Sequence, residues 1–292
     1  MKIPFFNYVN YCKDLNYIEL FKEVLETGYL IGGPFIERLE KNVEKYIGIK
    51  HCVAVGNATD AMEIIFDFLK LPVNSKVLVP AHTMLATASA AKSSNLIPVP
   101  VDVDNFSLMV EIDQLRECNL ENVSACMITQ LNGVVADMNP IKEFCDKNNI
   151  ILIEDSAQGI GSFNGNKHAG SWGIGGCLSF YPAKVAGGIG DGGAIITNND
   201  KLADFARSVR DHGRGEGFEA INWGRNSRMD SLNARVLIER IKNLDELISK
   251  RRKLASIYNN KLKILNGKYI KIPPIYSTNS SSKSTYQNYE IQ

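Results

Sequence analysis

The sequence has almost no charge imbalance: 33 basic residues stand against 32 acidic ones, a formal net charge of +1. That removes the electrostatic footprint of a nucleic-acid binder, and no block of like charge forms a tail. No apolar run is long enough to cross a bilayer, and the opening Met1-Lys2-Ile3-Pro4-Phe5-Phe6-Asn7 has no signal-peptide apolar region. Both absences point away from a membrane and toward the cytoplasm. Cysteine is sparse and scattered, at Cys12, Cys52, Cys118, Cys126, Cys145 and Cys177, with no Cys-x-x-Cys pair. Such spacing fits reduced packing residues in a cytosolic protein, not a zinc site or a disulfide framework. What remains is ordinary: 292 residues, 45% hydrophobic and 22% charged, enough for one large domain and part of another.

The informative stretch runs from Ile150 to Thr197. It opens on an apolar run, Ile150 to Ile153, that ends in Glu154 and Asp155. A strand buried on both faces reads this way, and in open α/β sheets ligands sit just outside the carboxyl ends of the strands. A second apolar run, Cys177 to Tyr181, leads to Lys184, between Pro182 and a glycine-rich segment. A carboxylate at a strand end and a lysine on a tight loop suit pyridoxal phosphate, which needs an amine for its aldehyde and an acid for its pyridinium nitrogen. Gly188-Ile189-Gly190-Asp191-Gly192-Gly193 satisfies the G-x-G-x-x-G pattern in the wrong setting, with a loop before it and the strand Ala194 to Thr197 after it. Those glycines read as a hairpin-like turn behind the lysine.

Glu154-Asp155-Ser156-Ala157-Gln158, Ser179-Phe180-Tyr181-Pro182-Ala183-Lys184 and Gly190-Asp191-Gly192-Gly193 resemble the core signature of the DegT/StrS family, and the resemblance extends almost from end to end. These are pyridoxal-phosphate sugar aminotransferases. The resemblance implies a mostly parallel central sheet with helices on both faces, the fold of aspartate aminotransferase. It implies a large cofactor domain over residues 1–245, then a linking helix and an incomplete small α/β domain over 246–292. It also implies Lys184 as the cofactor's lysine, Asp155 at the ring nitrogen, Gln158 at the ring oxygen and Ser179 at the phosphate. The substrates it implies are L-glutamate and a nucleotide-linked keto sugar, aminated at C3 or C4 for a surface polysaccharide or a secondary metabolite. Sugar dehydratases of the same fold commonly carry histidine in place of the lysine, and this chain keeps Lys184. A non-catalytic, ligand-binding relative is the third reading.

Around this stretch the chain alternates strands and helices. Tyr29 to Pro34 is a loop that the resemblance places at the mouth of the site, and a helix runs on from Pro34 to Gly48. His51 to Gly56 reads as a strand, Asn57 to Asp60 as a turn and Ala61 to Lys70 as a helix. That geometry is an anion site, because the first helical amides are unpaired and the dipole favours negative charge. The phosphate would meet the Ala58 and Thr59 amides; read by itself, the turn is an N-cap by Thr59 or Asp60. Lys76 to Pro80 and Ile97 to Val103 are strands, with a helix to Ser93 between them. Where the family stacks an aromatic residue on the ring, this chain has Met84, with His82 as the other candidate cover. Gln130 and Asn132 stand where the family often has histidine and tyrosine, differences that bear on substrate choice. Asn139-Pro140 starts a helix between two parallel strands. Asp211 to Asn222 is a glycine-rich loop, and Ser231 to Leu265 reads as one long helix. Ser277 to Ser284 is a polar loop, and Tyr286 to Gln292 starts a strand. The resemblance places Asn226 in the phosphate cradle of a partner subunit, and so implies a homodimer with shared active sites.

Overall fold

The computed structural model describes residues 4–215, 217, 219–273 and 282–292. Three helices open the chain: α1 (Tyr8–Tyr11), α2 (Tyr17–Thr27) and α3 (Pro34–Ile47). Then come β1 (His51–Val55), α4 (Ala58–Leu69), β2 (Lys76–Pro80), α5 (Leu85–Ser93) and β3 (Ile97–Val101). The middle holds α6 (Ile112–Arg116), β4 (Val123–Thr129), α7 (Met138–Lys147), β5 (Ile151–Asp155), β6 (Phe163–Asn164) and β7 (Lys167–His168). The remainder is β8 (Gly176–Ser179), β9 (Gly193–Thr197), α8 (Asp200–Val209), α9 (Ser231–Lys242), α10 (Leu244–Leu262) and β10 (Ser282–Lys283).

Among the described residues, seven strands form one sheet in the order β1-β9-β8-β5-β4-β2-β3. The pairs from β8 through β5, β4 and β2 to β3 are parallel; β9 is antiparallel to both β8 and β1. Alternate residues of these strands feed two faces. Val53, Val79, Met127, Ile153, Cys177 and Ile195 pack with α4, α5 and α8. On the other face Ala54, Leu178 and Ile196 meet α3 and α9, while Leu78, Ile128 and Leu152 meet α6 and α7. Strands covered on both faces must be apolar throughout, which is why they read as continuous runs. The two prolines of β3, Pro98 and Pro100, sit on the edge strand, where no further ladder bond is needed.

Four local expectations are corrected. Helix α4 starts at Ala58, and its cap is Asn57, whose Oδ1 accepts the Asp60 N–H at 2.9 Å; neither Thr59 nor Asp60 caps it. Helix α7 starts at Met138 after Asp137, leaving Pro140 inside the first turn, where a missing N–H costs nothing. The single helix expected from Ser231 to Leu265 is two, broken at Asn243 (φ −102, ψ 14). Tyr286 to Gln292 forms no strand; Tyr286 is left-handed (φ 49), and the segment bonds Asn132, Arg251 and the turn at Lys184. The short strand there is β10, paired with β6. The polar loop expected from Ser277 lies largely outside the described residues.

Candidate active site

Strand alternation separates the two carboxylates at the end of β5. Glu154 points to the α7 face and is fully buried. It accepts hydrogen bonds from Gln130 Nε2 (2.8 Å) and from the amides of Gly170 (2.8 Å), Trp172 (2.6 Å) and Gly173 (3.1 Å). Burial pushes its carboxyl above the usual carboxylate range, and the three amides and Gln130 oppose that. Gln130 is spent here, its Oε1 accepting the Ala136 N–H at 2.9 Å; it lies in the core and not at a substrate surface, against expectation.

Asp155 points to the opposite face, in register with Thr129 of β4 and Cys177 of β8. Its Oδ2 accepts from Thr87 Oγ1 at 2.6 Å, and its Oδ1 from the Ala157 N–H at 3.1 Å and from Cys177 Sγ at 3.4 Å. Thr83 links Thr87 and Thr129 through hydroxyl contacts of 2.8 and 3.0 Å. Neither Thr87 nor Thr129 was singled out from sequence. The available signal was the i, i+4 pair Thr83 and Thr87 beside a helix start.

Asp155 forms the floor of a cavity of about 550 Å³. Ala58, Thr59, Met84, Gln158, Ser179 and Lys184 all line it, whereas Asn226, His82, Gln130 and Asn132 do not. Ser179 ends β8, and Lys184 follows on a turn closed by its own N–H to Tyr181 O at 2.8 Å. Its Nζ has no hydrogen-bond or ion-pair partner among the described residues. Burial lowers its amine below the ordinary lysine value, and Asp155 opposes the shift. At the other end Asn57 and the Gly193 backbone come so close that a Cβ on Gly193 would lie 2.4 Å from Asn57 C and 2.6 Å from Ala58 N. The carboxylate of Asp60 is turned away to Ser227 Oγ at 2.6 Å. The open side of the first turn of α4 therefore presents amides and the Thr59 hydroxyl, with the Asp60 carboxylate directed to Ser227.

Met84 lines the cavity and is 69% exposed. His82 turns to Glu290, with Nε2 3.6 Å from Oε1, and does not line it. Gln158 lines the cavity, and its Oε1 accepts the Asn132 N–H at 2.8 Å. Two further wall residues, Gln287 and Asn288, come from the C-terminal segment that sequence reading took for a strand. Asn226 is exposed, outside the cavity of its own chain, with Oδ1 accepting from Arg228 Nε at 3.0 Å.

A doubly covered sheet with an unpaired amine, a buried carboxylate and open helix-start amides around one cavity defines a pyridoxal-phosphate enzyme. The amine suits the cofactor's aldehyde, and the amides suit its phosphate. The sequence pattern of the DegT/DnrJ/EryC1/StrS aminotransferase family matches residues 12–290, and the chain belongs to that family. It is 34% identical over 242 residues to the UDP-2-acetamido-2-deoxy-3-oxo-D-glucuronate aminotransferase of Pseudomonas aeruginosa, covering 83% of this chain and 67% of that one. Its structure is similar to S. venezuelae DesV, with a TM-score of 0.93 and 27% identity over 99% of this chain and 77% of that one. It is also similar to ntda from Bacillus subtilis, solved with bound cofactor PMP: TM-score 0.88, 30% identity, 99% of this chain and 66% of that one. The cofactor is pyridoxal phosphate.

Proposed function

We propose that this chain moves an amino group from L-glutamate, through pyridoxal phosphate, to the keto group of a nucleotide-linked sugar. The observation that carries the reading is the Lys184 amine, without a partner among the described residues, in one cavity with Asp155. Bound there, the cofactor supplies an electron sink for the substrate carbon that loses its proton. Asp155, fixed by Thr87, Ala157 and Cys177, holds a proton at the ring nitrogen. Ala58, Thr59 and Ser179 bind the phosphate, Gln158 donates to the ring oxygen, and Met84 packs on the ring face. Lys184, its basicity lowered by burial, would hold the cofactor through its aldehyde, and its amine, once freed, would stand as the base that moves a proton at the substrate carbon. The retained lysine favours amino transfer over dehydration. A keto group at C3 is favoured by the 3-oxo sugar in the Pseudomonas aeruginosa relative's name.

Two further parts of the proposal concern setting. The six cysteines are free, and no helix among the described residues is long and apolar enough to cross a membrane; we place the enzyme in the cytoplasm. It works as a homodimer in which Asn226 completes the partner's phosphate cradle. Support comes from Tyr29, Leu30 and Ile31, which are 56%, 51% and 44% exposed beside the start of α9, where Ser231 N–H bonds Leu30 O at 2.9 Å. The test of function is the absorbance of purified protein loaded with pyridoxal phosphate. Adding L-glutamate should convert the cofactor band to that of the amino form, and a UDP- or dTDP-linked 3-keto sugar should restore it. An unchanged band with glutamate would sink the reading.

A further inference from the structure

The turn that carries Lys184 is bonded on its inner edge by its own backbone: Lys184 N–H to Tyr181 O and Gly188 N–H to Phe180 O, both 2.8 Å. Its outer edge consists of the Ala183 carbonyl and the Val185 N–H, the two peptide groups that flank Lys184. One side chain takes both. Gln287 Oε1 accepts the Val185 N–H at 2.8 Å, and Gln287 Nε2 donates to Ala183 O at 3.0 Å. Gln287 is itself anchored. Arg251 Nη1 donates to the carbonyls of Tyr286 (3.2 Å) and Gln287 (3.1 Å), Arg252 Nε donates to Ser284 O at 2.8 Å, and Thr285 N–H bonds Gly133 O at 3.0 Å.

We propose that Gln287 is the positioning residue for Lys184: its carboxamide closes a two-bond rung around the lysine and fixes the direction in which the amine enters the cavity. The inference rests on the reading of Lys184 as the cofactor's lysine. A lysine side chain has many rotamers, and an amine on a loose turn would spend most of its time away from the aldehyde carbon. Bonding the peptide groups on both sides fixes the backbone torsions at Lys184 itself. It also keeps the turn closed against water, which sustains the lowered basicity of the amine. Only glutamine does both at this reach. Glutamate lacks the donor, methionine lacks both groups, and asparagine is too short to span the two positions.

The test follows the attachment of added pyridoxal phosphate to the full-length protein, trapped with borohydride and read as mass on the Lys184 peptide, as a function of pH. Losing two neutral hydrogen bonds, Gln287→Met should slow attachment about tenfold and move its pH midpoint upward, toward that of an exposed lysine. Thermal unfolding of the same variant shows whether the fold persists. Gln287→Glu keeps the acceptor for Val185 and loses the donor to Ala183, so its attachment should slow about threefold. A folded Gln287→Met with the unchanged rate and midpoint overturns the proposal. If Gln287→Met does not fold, an unchanged rate in Gln287→Glu overturns it. Attachment to a lysine other than Lys184 in the unaltered chain overturns the underlying reading of Lys184 instead.

Discussion

Asp155 and Glu154 are neighbours with opposite fates, and the alternation of a strand is the whole cause. Glu154 is sealed behind four donors and holds the Gly170 to Gly173 loop, whereas Asp155 faces the cavity with its charge positioned by Thr87 and Cys177. On the proposed reading, Asp155→Asn keeps the shape and removes the charge that would hold a proton on the ring nitrogen. Cofactor binding should persist, while single-turnover conversion with glutamate should slow about a hundredfold or more. Conversion at the unaltered rate would remove Asp155 from that role. His168 carries a different prediction. It is fully buried, with Nε2 accepting the Gly161 N–H at 2.8 Å and Nδ1 donating to Ala169 O, and burial pulls its pKa down to about 4. In the unfolded chain it titrates near 6.5, so between these values the unfolded state takes up a proton that the folded state refuses. Its contribution is complete above about pH 6.5 and falls away as pH drops toward 4, by up to roughly 3 kcal/mol. Urea midpoints at pH 7 and pH 5 should drop more in the unaltered protein than in His168→Gln; equal drops would show that His168 is not the titrating group.

At the scale of elements, the phosphate end depends on how closely β9 passes the turn before α4. Gly193→Ala would drive a Cβ into Asn57 C and Ala58 N, both backbone atoms that cannot swing aside. The change should cost about 1–3 kcal/mol. It should also weaken binding of pyridoxal phosphate more than binding of pyridoxal, which lacks the phosphate. Equal losses for both would show that the turn does not hold the phosphate. Much of this arrangement was legible in the sequence, because buried parallel strands are continuous apolar runs and Asp155, Ser179 and Lys184 sit at their ends. The errors have particular causes. The apolar positions Leu237, Ile241, Leu244 and Ile248 keep helical spacing straight through Asn243, so the break between α9 and α10 leaves no mark in periodicity. Asn57 was read as turn because asparagine, threonine and aspartate all cap helices, and the true cap stands two residues before Thr59 and three before Asp60. Tyr286 to Gln292 reads as the start of a strand, yet its partners are Arg251, Asn132 and the Lys184 turn, far away in sequence and visible only in three dimensions. Gln130 looked like a substrate residue by position, but strand parity sends it to Glu154.

At the scale of the whole molecule, Asn226 lies outside the cavity of its own chain. The segment that carries it is fastened to its own subunit. Arg225 pairs with Glu63 and, at 2.6 Å, with Asp67; Ser227 Oγ accepts the Gly56 N–H at 3.0 Å and donates to Asp60. Both neighbours are bonded to α4 and the turn before it, while Asn226 is exposed and does not line the cavity of its own chain. Exposed Tyr29, Leu30 and Ile31, beside the start of α9, are apolar surface of the kind that obligate interfaces bury, and on the proposed reading Asn226 serves a second copy. Lys184→Ala and Asn226→Ala should each be inactive. Mixed under conditions that allow subunits to exchange, they should recover up to about a quarter of the unaltered activity, since half the dimers are mixed and each mixed dimer has one site with both native residues. Activity that stays at the level of the separate mutants after exchange is verified, or a monomer in light scattering at working concentration, would show that each subunit builds its site alone.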